Sequence, residues 1–163
     1  MKNLLSIHVA ALLLCGSAVA QEVTQAQPFT DVATVSNMFE IESSKVALEK
    51  ASSAEAKAFA QHMIDDHTKA GEEMKPAANA EGTKMPASLD QKHQAKLDML
   101  SGSSGEAFDK SYLAEQLAAH EEAVALFQGY SEKGAPGALK EFATKTLPTL
   151  QSHLEEVQDL TAK

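Results

Sequence analysis

Apolar residues recur at helical spacing along most of the chain beyond Phe29, in a background rich in Ala, Leu, Glu, Lys and Gln. Residues at i, i+3, i+4 and i+7 share one face of an α-helix, so this pattern predicts amphipathic helices that each bury one stripe. We find no alternation of apolar and polar residues typical of a β-strand. The sequence therefore predicts an all-α fold.

Capping residues, glycines and prolines set the expected bounds of these helices. Ser52 and Glu55 have capping-box spacing, so a second helix is expected to start at Ser53. Pro76 is expected to kink or end that helix, and Gly82 to stop it. The predicted pattern is a flexible lead-in at 21–30, long helices near 31–51, 53–75, 106–133 and 138–161, and a short helix near 89–100.

The order of these helices predicts how they pack. Two tight hairpins are separated by about 23 residues, at 83–105, which is long enough to cross the length of a bundle. A four-helix bundle with one long crossover has the ferritin-like topology. We therefore expect a ferritin-like four-helix bundle, at 31–163, whose crossover carries a short extra helix.

Each long helix carries one ligand-capable side chain where its stripe calls for an apolar residue. These residues are Glu42, His67, His120 and His153, in chain order. Burying a polar group without a partner costs about 2–7 kcal/mol, so four such groups need partners, and in a bundle the nearest are one another. Imidazole and carboxylate are ordinary ligands of transition metals. The pattern favours one bound metal ion (zinc, iron, manganese or copper), although histidines that only hydrogen-bond are the alternative.

Several neighbouring residues bear on this site. Asp66 lies at the edge of the second stripe and is a candidate ligand or a hydrogen-bond partner of His67 or another ligand. Glu40 lies off the first stripe and is expected at the surface, as are His62 and His93. Methionines at helical spacing are expected to fill the core.

Charge and the absence of other motifs exclude several functions. The only basic side chains are lysines, and the chain carries a net charge of −9. This argues against nucleic acid and anionic lipid as partners. A repeated Glu-x-x-His motif, a haem attachment motif and a nucleophile motif are all missing, so the pattern supports a mononuclear site at most.

The first twenty residues have the parts of a secretory signal peptide: Lys2, a short apolar run and an A-x-A end at Ala18–Ala20. We expect cleavage after Ala20, which removes Cys15, the only cysteine. The mature protein is therefore expected to be periplasmic or secreted, without a disulfide and without direct insertion into a membrane.

Four segments carry a family resemblance. They are 39–42 (FEIE), 46–52 (VALEKAS), 59–67 (FAQHMIDDH) and 146–150 (TLPTL). Together with Gly105, Phe108, Asp109, Tyr112, His120 and His153, they resemble the ferritin-like family catalogued as domain of unknown function 4142. The resemblance implies an exported bacterial bundle and strengthens His67, His120 and His153 as a set. On the first helix it favours Glu40 at least as much as Glu42. Both stay candidates, and Glu42 ranks first because it lies within the apolar stripe.

Three functions are compatible with the sequence. The leading one is a metal-binding bundle, with His67, His120, His153 and a carboxylate as ligands, in envelope metal handling or stress protection. The first alternative is a metal-dependent oxidoreductase acting on oxygen or peroxide. The second is a non-catalytic structural or partner-binding protein of the envelope, whose protein partners are unknown.

Overall fold

The computed structural model describes residues 23–162, so the predicted signal peptide, with Cys15 and the cleavage site, lies outside the described residues. Within this range the protein is all-helical, and none of its helices is long and apolar enough to cross a membrane. The five helices are α1 (Ala26–Lys50), α2 (Ala54–Ala80), α3 (Gln91–Ser101), α4 (Gly105–Lys133) and α5 (Ala138–Thr161).

The four long helices form a bundle in which each contacts two neighbours. Helix α1 packs against α2 and α4, and α5 packs against the same two helices. The start of α4 lies at the α1–α2 turn, because Asp109 bonds to Ser52 there. Helix α4 therefore runs parallel to α2, and the segment between them crosses the bundle and places α3 against α1. The predicted four-helix bundle with one crossover and an extra helix is confirmed, whereas kinship with ferritins stays a prediction.

The first helix begins earlier than predicted. Residues 26–30 belong to α1, so the prediction of a flexible lead-in at 21–30 is wrong for these five residues. Phe29 is fully buried, with its ring stacked on Tyr130 at 3.9 Å and edge-on to Phe127 at 5.2 Å. Pro28 lies in the first turn, where its missing N–H breaks no intrahelical hydrogen bond. Packing of Phe29 therefore extends the helix to Ala26.

Helix α2 is capped by Ser53, not by Ser52 as the capping-box spacing predicted. The Ser53 Oγ accepts a hydrogen bond from the N–H of Ala56 at 3.1 Å. Ser52 is drawn away by Asp109, whose carboxylate accepts hydrogen bonds from the Ser52 N–H, the Ser52 hydroxyl and the Ser53 N–H. One buried carboxylate thus ties the first hairpin to α4.

Helix α2 continues through Pro76 and ends after Ala80, so the predicted end at residue 75 was five residues short. Gly82 adopts a left-handed φ of +66°, which a residue with a Cβ rarely takes, and this turns the chain out of the helix. The chain then docks on the start of α1, where Gln27 accepts a hydrogen bond from the Lys84 N–H and donates one to its carbonyl oxygen.

Two clusters of apolar residues fill the bundle, one toward each end. The first contains Phe29, Met74, Phe127, Tyr130, Phe142 and Leu150, among others. The second contains Phe39, Phe59, Met63, Phe108, Tyr112 and Val157, among others. The three histidines predicted on inner faces lie between these clusters along α2, α4 and α5.

Candidate metal centre

Three helices each contribute one buried histidine to the middle of the bundle. His67 on α2 is 6% exposed, His120 on α4 is 1% exposed and His153 on α5 is 2% exposed. Each occupies a position of the apolar stripe, flanked one turn away by core residues such as Met63 and Leu150. The stripe therefore dictates that these imidazoles point inward.

The structure brings the three rings together, and we call His67, His120 and His153 the inner triad. Ring centroids are 5.7 Å apart for His67 and His120, 5.6 Å for His67 and His153, and 5.5 Å for His120 and His153. One nitrogen of each ring lies within 4.8 Å of one nitrogen of the other two. Small side-chain rotations bring nitrogens at this spacing onto one ion with bonds of about 2.0–2.1 Å.

One nitrogen of each ring makes a hydrogen bond, which fixes the orientation of the ring and the position of its proton. His153 Nε2 lies 3.0 Å from a carboxylate oxygen of Asp66, and His120 Nδ1 lies 2.9 Å from the carbonyl oxygen of Gln116. Both partners only accept, so both nitrogens carry the proton. His67 Nδ1 lies 3.1 Å from Asn37 Oδ1, which accepts in the same way. Metal-binding histidines are typically oriented by such partners.

The remaining nitrogens are buried and have no partner among the described residues. They are His67 Nε2, His120 Nε2 and His153 Nδ1. In each ring the proton is on the other nitrogen, so all three carry a lone pair, and no donor satisfies them. A buried unsatisfied acceptor costs about 1–3 kcal/mol. A cation that accepts three lone pairs removes this cost, so the donor set fits a transition-metal ion.

Burial also keeps these imidazoles neutral. It lowers the pKa of His120 to about 4 and holds the pKa of His67 well below its ordinary value, with the neighbouring histidines adding to the second effect. Burial likewise lowers the pKa of His153, and the hydrogen bond that its Nε2 donates to Asp66 opposes this effect. A histidine must be neutral to act as a metal ligand, and the lowered pKa values keep all three rings in that form near neutral pH.

Glu40 is buried and Glu42 is exposed, which is the reverse of the prediction. Glu42 was placed first among the carboxylate candidates, but its side chain is 46% exposed and bonds to Lys45 at 2.8 Å. Glu40 was expected at the surface and is 2% exposed. The buried face of α1 includes small polar residues that a hydropathy pattern assigns to the surface. The face of α1 that packs in the core therefore differs from the one that the apolar stripe predicted. These residues are Thr30, Thr34, Ser43 and Ser44.

Glu40 is not part of the cluster of ligand-capable atoms that the triad forms. Its Oε1 lies 4.0 Å from His120 Nδ1, the nitrogen that already bonds to Gln116. Burial raises the pKa of Glu40 to about 8, partly offset by a hydrogen bond from Gln116 and the charge of Lys96. The carboxyl is therefore protonated near neutral pH and lies behind His120.

Asp66 lies where a hydrogen-bond partner of a ligand is expected, and it contacts His153 instead of its neighbour His67. The sequence reasoning missed Asn37, the partner of His67, because an asparagine on a helix has no distinguishing pattern. It also left His62 as an isolated surface histidine, whereas its Nε2 lies 3.3 Å from Asp66 Oδ2. Helical spacing of i and i+4 between His62 and Asp66 was the available signal.

A cavity of about 510 Å³ adjoins the triad at His67. It lies between α1, α2, α4 and α5 and is lined mainly by apolar side chains, with Asn37 and Thr34 among the polar ones. Gly71 lies on its wall, and a Cβ there would come within 3.0 Å of Asn37 Nδ2. The glycine thus leaves room for the side chain that orients His67.

Comparisons with known proteins address the fold and the family. A DUF305 protein from Streptomyces coelicolor, inferred to be secreted, superposes with a TM-score of 0.70 at 16% identity over 84% of this chain and 90% of its own. CopM in its Cu(II)-bound form superposes with a TM-score of 0.70 at 19% identity over 85% of this chain and 96% of its own. No curated protein matches the chain significantly.

These structural likenesses show a shared helical-bundle fold. The family model described as "Domain of unknown function (DUF4142)" matches residues 15–160, which is nearly the whole chain. The match agrees with the resemblance carried by the segments around Glu40, His67 and His153. The protein belongs to the DUF4142 family.

Proposed function

We propose that the protein binds one transition-metal ion through the inner triad and serves in metal handling in the bacterial envelope. Two observations carry this proposal. Three buried imidazole nitrogens, on three helices, have no hydrogen-bond partner among the described residues, and each of the three rings brings one nitrogen within 4.8 Å of the other two. A protein that used these histidines only for packing would have each nitrogen hydrogen-bonded.

The donor set narrows the choice of metal. With Glu42 at the surface and Glu40 behind His120, the ligands supplied by the chain are three neutral nitrogens. Imidazole suits zinc, copper, nickel and iron, whereas manganese and magnesium prefer oxygen ligands. We therefore propose zinc or copper first and iron next. That CopM shares the fold and binds Cu(II) supports this order.

An envelope location supports the same role. The N-terminal segment has the pattern of a signal peptide, and a structural relative in Streptomyces coelicolor is inferred to be secreted. In such a compartment a buried site of neutral ligands can hold a metal ion that would otherwise react with other proteins. Stress protection is then a consequence of sequestration.

Metal content tests the proposal. The native protein, purified from the envelope fraction without chelators or a histidine tag, is analysed by inductively coupled plasma mass spectrometry before and after incubation with Zn²⁺, Cu²⁺ and Fe²⁺. We expect about one ion per chain for the wild type and none for a variant in which all three triad histidines are leucine. A His93→Leu variant is the matched control, because His93 bonds to Asp90 away from the triad. Equal metal content in the triple variant would refute the proposal.

The cavity at His67 favours a second candidate, a metal-dependent oxidoreductase. Three protein ligands leave a coordination position open in catalytic sites. A cavity of about 510 Å³ adjoining one ligand gives a small molecule such as oxygen or peroxide a way to the site. Turnover of peroxide or oxygen by the metal-loaded protein, lost when Ala70 on the cavity wall is enlarged to Phe, would support this function over storage.

A further inference from the structure

A second group of ligand-capable side chains lies on the solvent side of His153. His62 on α2 has a side chain that is 47% exposed, and Asp66, one turn later, has one that is 36% exposed. Ligand-capable atoms of His62, Asp66 and His153 all lie within 4.8 Å of one another. Asp66 Oδ2 lies in the middle, 3.3 Å from His62 Nε2 and 3.0 Å from His153 Nε2.

The ring of His62 lies between two carboxylates. Its Nδ1 lies 3.0 Å from Glu156 Oε2, and its Nε2 lies 3.3 Å from Asp66 Oδ2. A neutral imidazole has one N–H and can serve only one of two carboxylates. If the N–H donates to Glu156, the lone pair of Nε2 faces the Asp66 carboxylate. A bound cation between them satisfies both groups, and Glu156 then orients the ring as carboxylates orient metal-binding histidines.

The burial of the inner triad raises the question of how an ion enters. The three triad side chains are at most 6% exposed, so an ion from solvent must pass the side chains around them. His153 is the member of the triad with a hydrogen bond to a half-exposed carboxylate, that of Asp66. The second group therefore lies directly between solvent and one ligand of the inner triad.

We propose that His62, Asp66 and His153 form an outer site that captures a divalent transition-metal ion before it reaches the inner triad. This inference rests on the proposed function, because His153 belongs to both sites. The outer site uses its Nε2 and the inner triad its Nδ1. An ion at Nε2 displaces the proton that Nε2 donates to Asp66, and that proton moves to Nδ1 or to solvent. One ion at a time is therefore held through His153.

The outer site is tested in a variant that lacks the inner one. His67→Leu and His120→Leu together remove two triad ligands and replace them by apolar side chains, which buried positions tolerate well. Isothermal titration calorimetry of this double variant with Zn²⁺ is expected to show one site per chain. Its affinity for Zn²⁺ is expected to be lower than that of the wild type. Adding His62→Ala is expected to abolish this binding, whereas adding His93→Ala leaves it unchanged.

The rate of uptake gives a second test that needs no change in the core. His62→Ala alone, at a half-exposed position, is expected to slow Zn²⁺ uptake from a fluorescent chelator about tenfold, because the outer site loses one of its three ligands. The final affinity of the inner triad is expected to be unchanged. An unchanged uptake rate, together with a double variant that binds no Zn²⁺, would overturn the outer site.

The two proposals fail in distinguishable ways. If the wild type binds one Zn²⁺ and the His67→Leu/His120→Leu variant binds none, the outer site is wrong and the inner triad stands. If the wild type and the double variant bind one Zn²⁺ with the same affinity, and His62→Ala abolishes binding in both, the inner triad is wrong and the outer site stands. If neither binds Zn²⁺, both proposals are refuted.

Discussion

Replacing Glu40 by Gln is predicted to stabilise the metal-free protein near neutral pH. Burial raises the pKa of this carboxyl from 4.5 to about 8. In the unfolded chain the group ionises near its ordinary value, so at pH 7 the chain takes up a proton as it folds. This costs 1.36 kcal/mol for each pH unit above the ordinary pKa. Between 4.5 and pH 7 the cost is about 3 kcal/mol.

The sign of the pH dependence follows from the raised pKa. Below pH 4.5 the carboxyl is protonated in both states and costs nothing. As the pH rises toward 8, the unfolded state alone loses its proton, and the wild type loses stability. Gln has nearly the same shape and no proton to take up. Glu40→Gln is therefore expected to match the wild type to within about 0.5 kcal/mol at pH 4.5 and to exceed it by about 3 kcal/mol at pH 7.

Urea unfolding followed by circular dichroism, at pH 4.5, 6 and 7 with a chelator present, measures this difference. Histidines that titrate in both proteins cancel in the comparison. Glu42→Gln is the matched control, because Glu42 is half-exposed and only bonds to Lys45. It is expected to change stability by less than about 0.5 kcal/mol at every pH. A gain for Glu40→Gln that is the same at pH 4.5 and pH 7, or a loss at pH 7, would refute the reasoning.

Three further substitutions test the supports of the fold and the site. Gly71→Ala places a Cβ 3.0 Å from Asn37 Nδ2, which disturbs the side chain that orients His67. Although alanine favours the helix, this variant is expected to weaken metal binding about tenfold. Calorimetry with Zn²⁺ measures the affinity, and an unchanged value contradicts the prediction. Asp109→Ala leaves the α1–α2 turn without its acceptor and is expected to cost about 2 kcal/mol in urea unfolding; a loss below 0.5 kcal/mol speaks against the role. Phe29→Ala is expected to cost about 3–5 kcal/mol, because the ring is fully buried; a neutral result would mean that residues 26–30 are not part of the folded core.

The sequence predicted the helices well because their signals are local. The start of α2 and the bounds of α4 and α5 depend on stripes, glycines and caps that lie within or beside each helix. The inner triad could be predicted for the same reason. A histidine in an otherwise apolar stripe, such as His120 beside Phe127, has only one face on which to lie.

The first helix shows where local reasoning fails. Its buried face includes Thr30, Thr34, Ser43 and Ser44, which satisfy their hydroxyls within the bundle; Ser44, for example, bonds to the Tyr112 hydroxyl at 2.8 Å. Such bonds depend on a partner helix that a single stripe does not reveal. The hydropathy pattern therefore predicted that Glu42 faces inward and Glu40 outward. With hydrogen bonds between helices formed, Glu40 is buried and Glu42 is exposed.

Partners across helices were also beyond the sequence. Asn37 is on α1 and orients His67 on α2, and Glu156 is on α5 and contacts His62 on α2. Neither pair has a fixed separation along the chain. Only the relative heights of the helices, set by Phe29 and by Asp109 at opposite ends of the bundle, bring these side chains together.

The central claim is that three histidine nitrogens of the inner triad bind one metal ion. X-ray absorption at the zinc edge, on native protein loaded with one equivalent of Zn²⁺, tests this claim most directly. We expect three imidazole ligands with bonds of about 2.0–2.1 Å, and loss of this signature when His67, His120 and His153 are replaced by leucine. A zinc environment of oxygen ligands alone, or one that is the same in the triple variant, would contradict it.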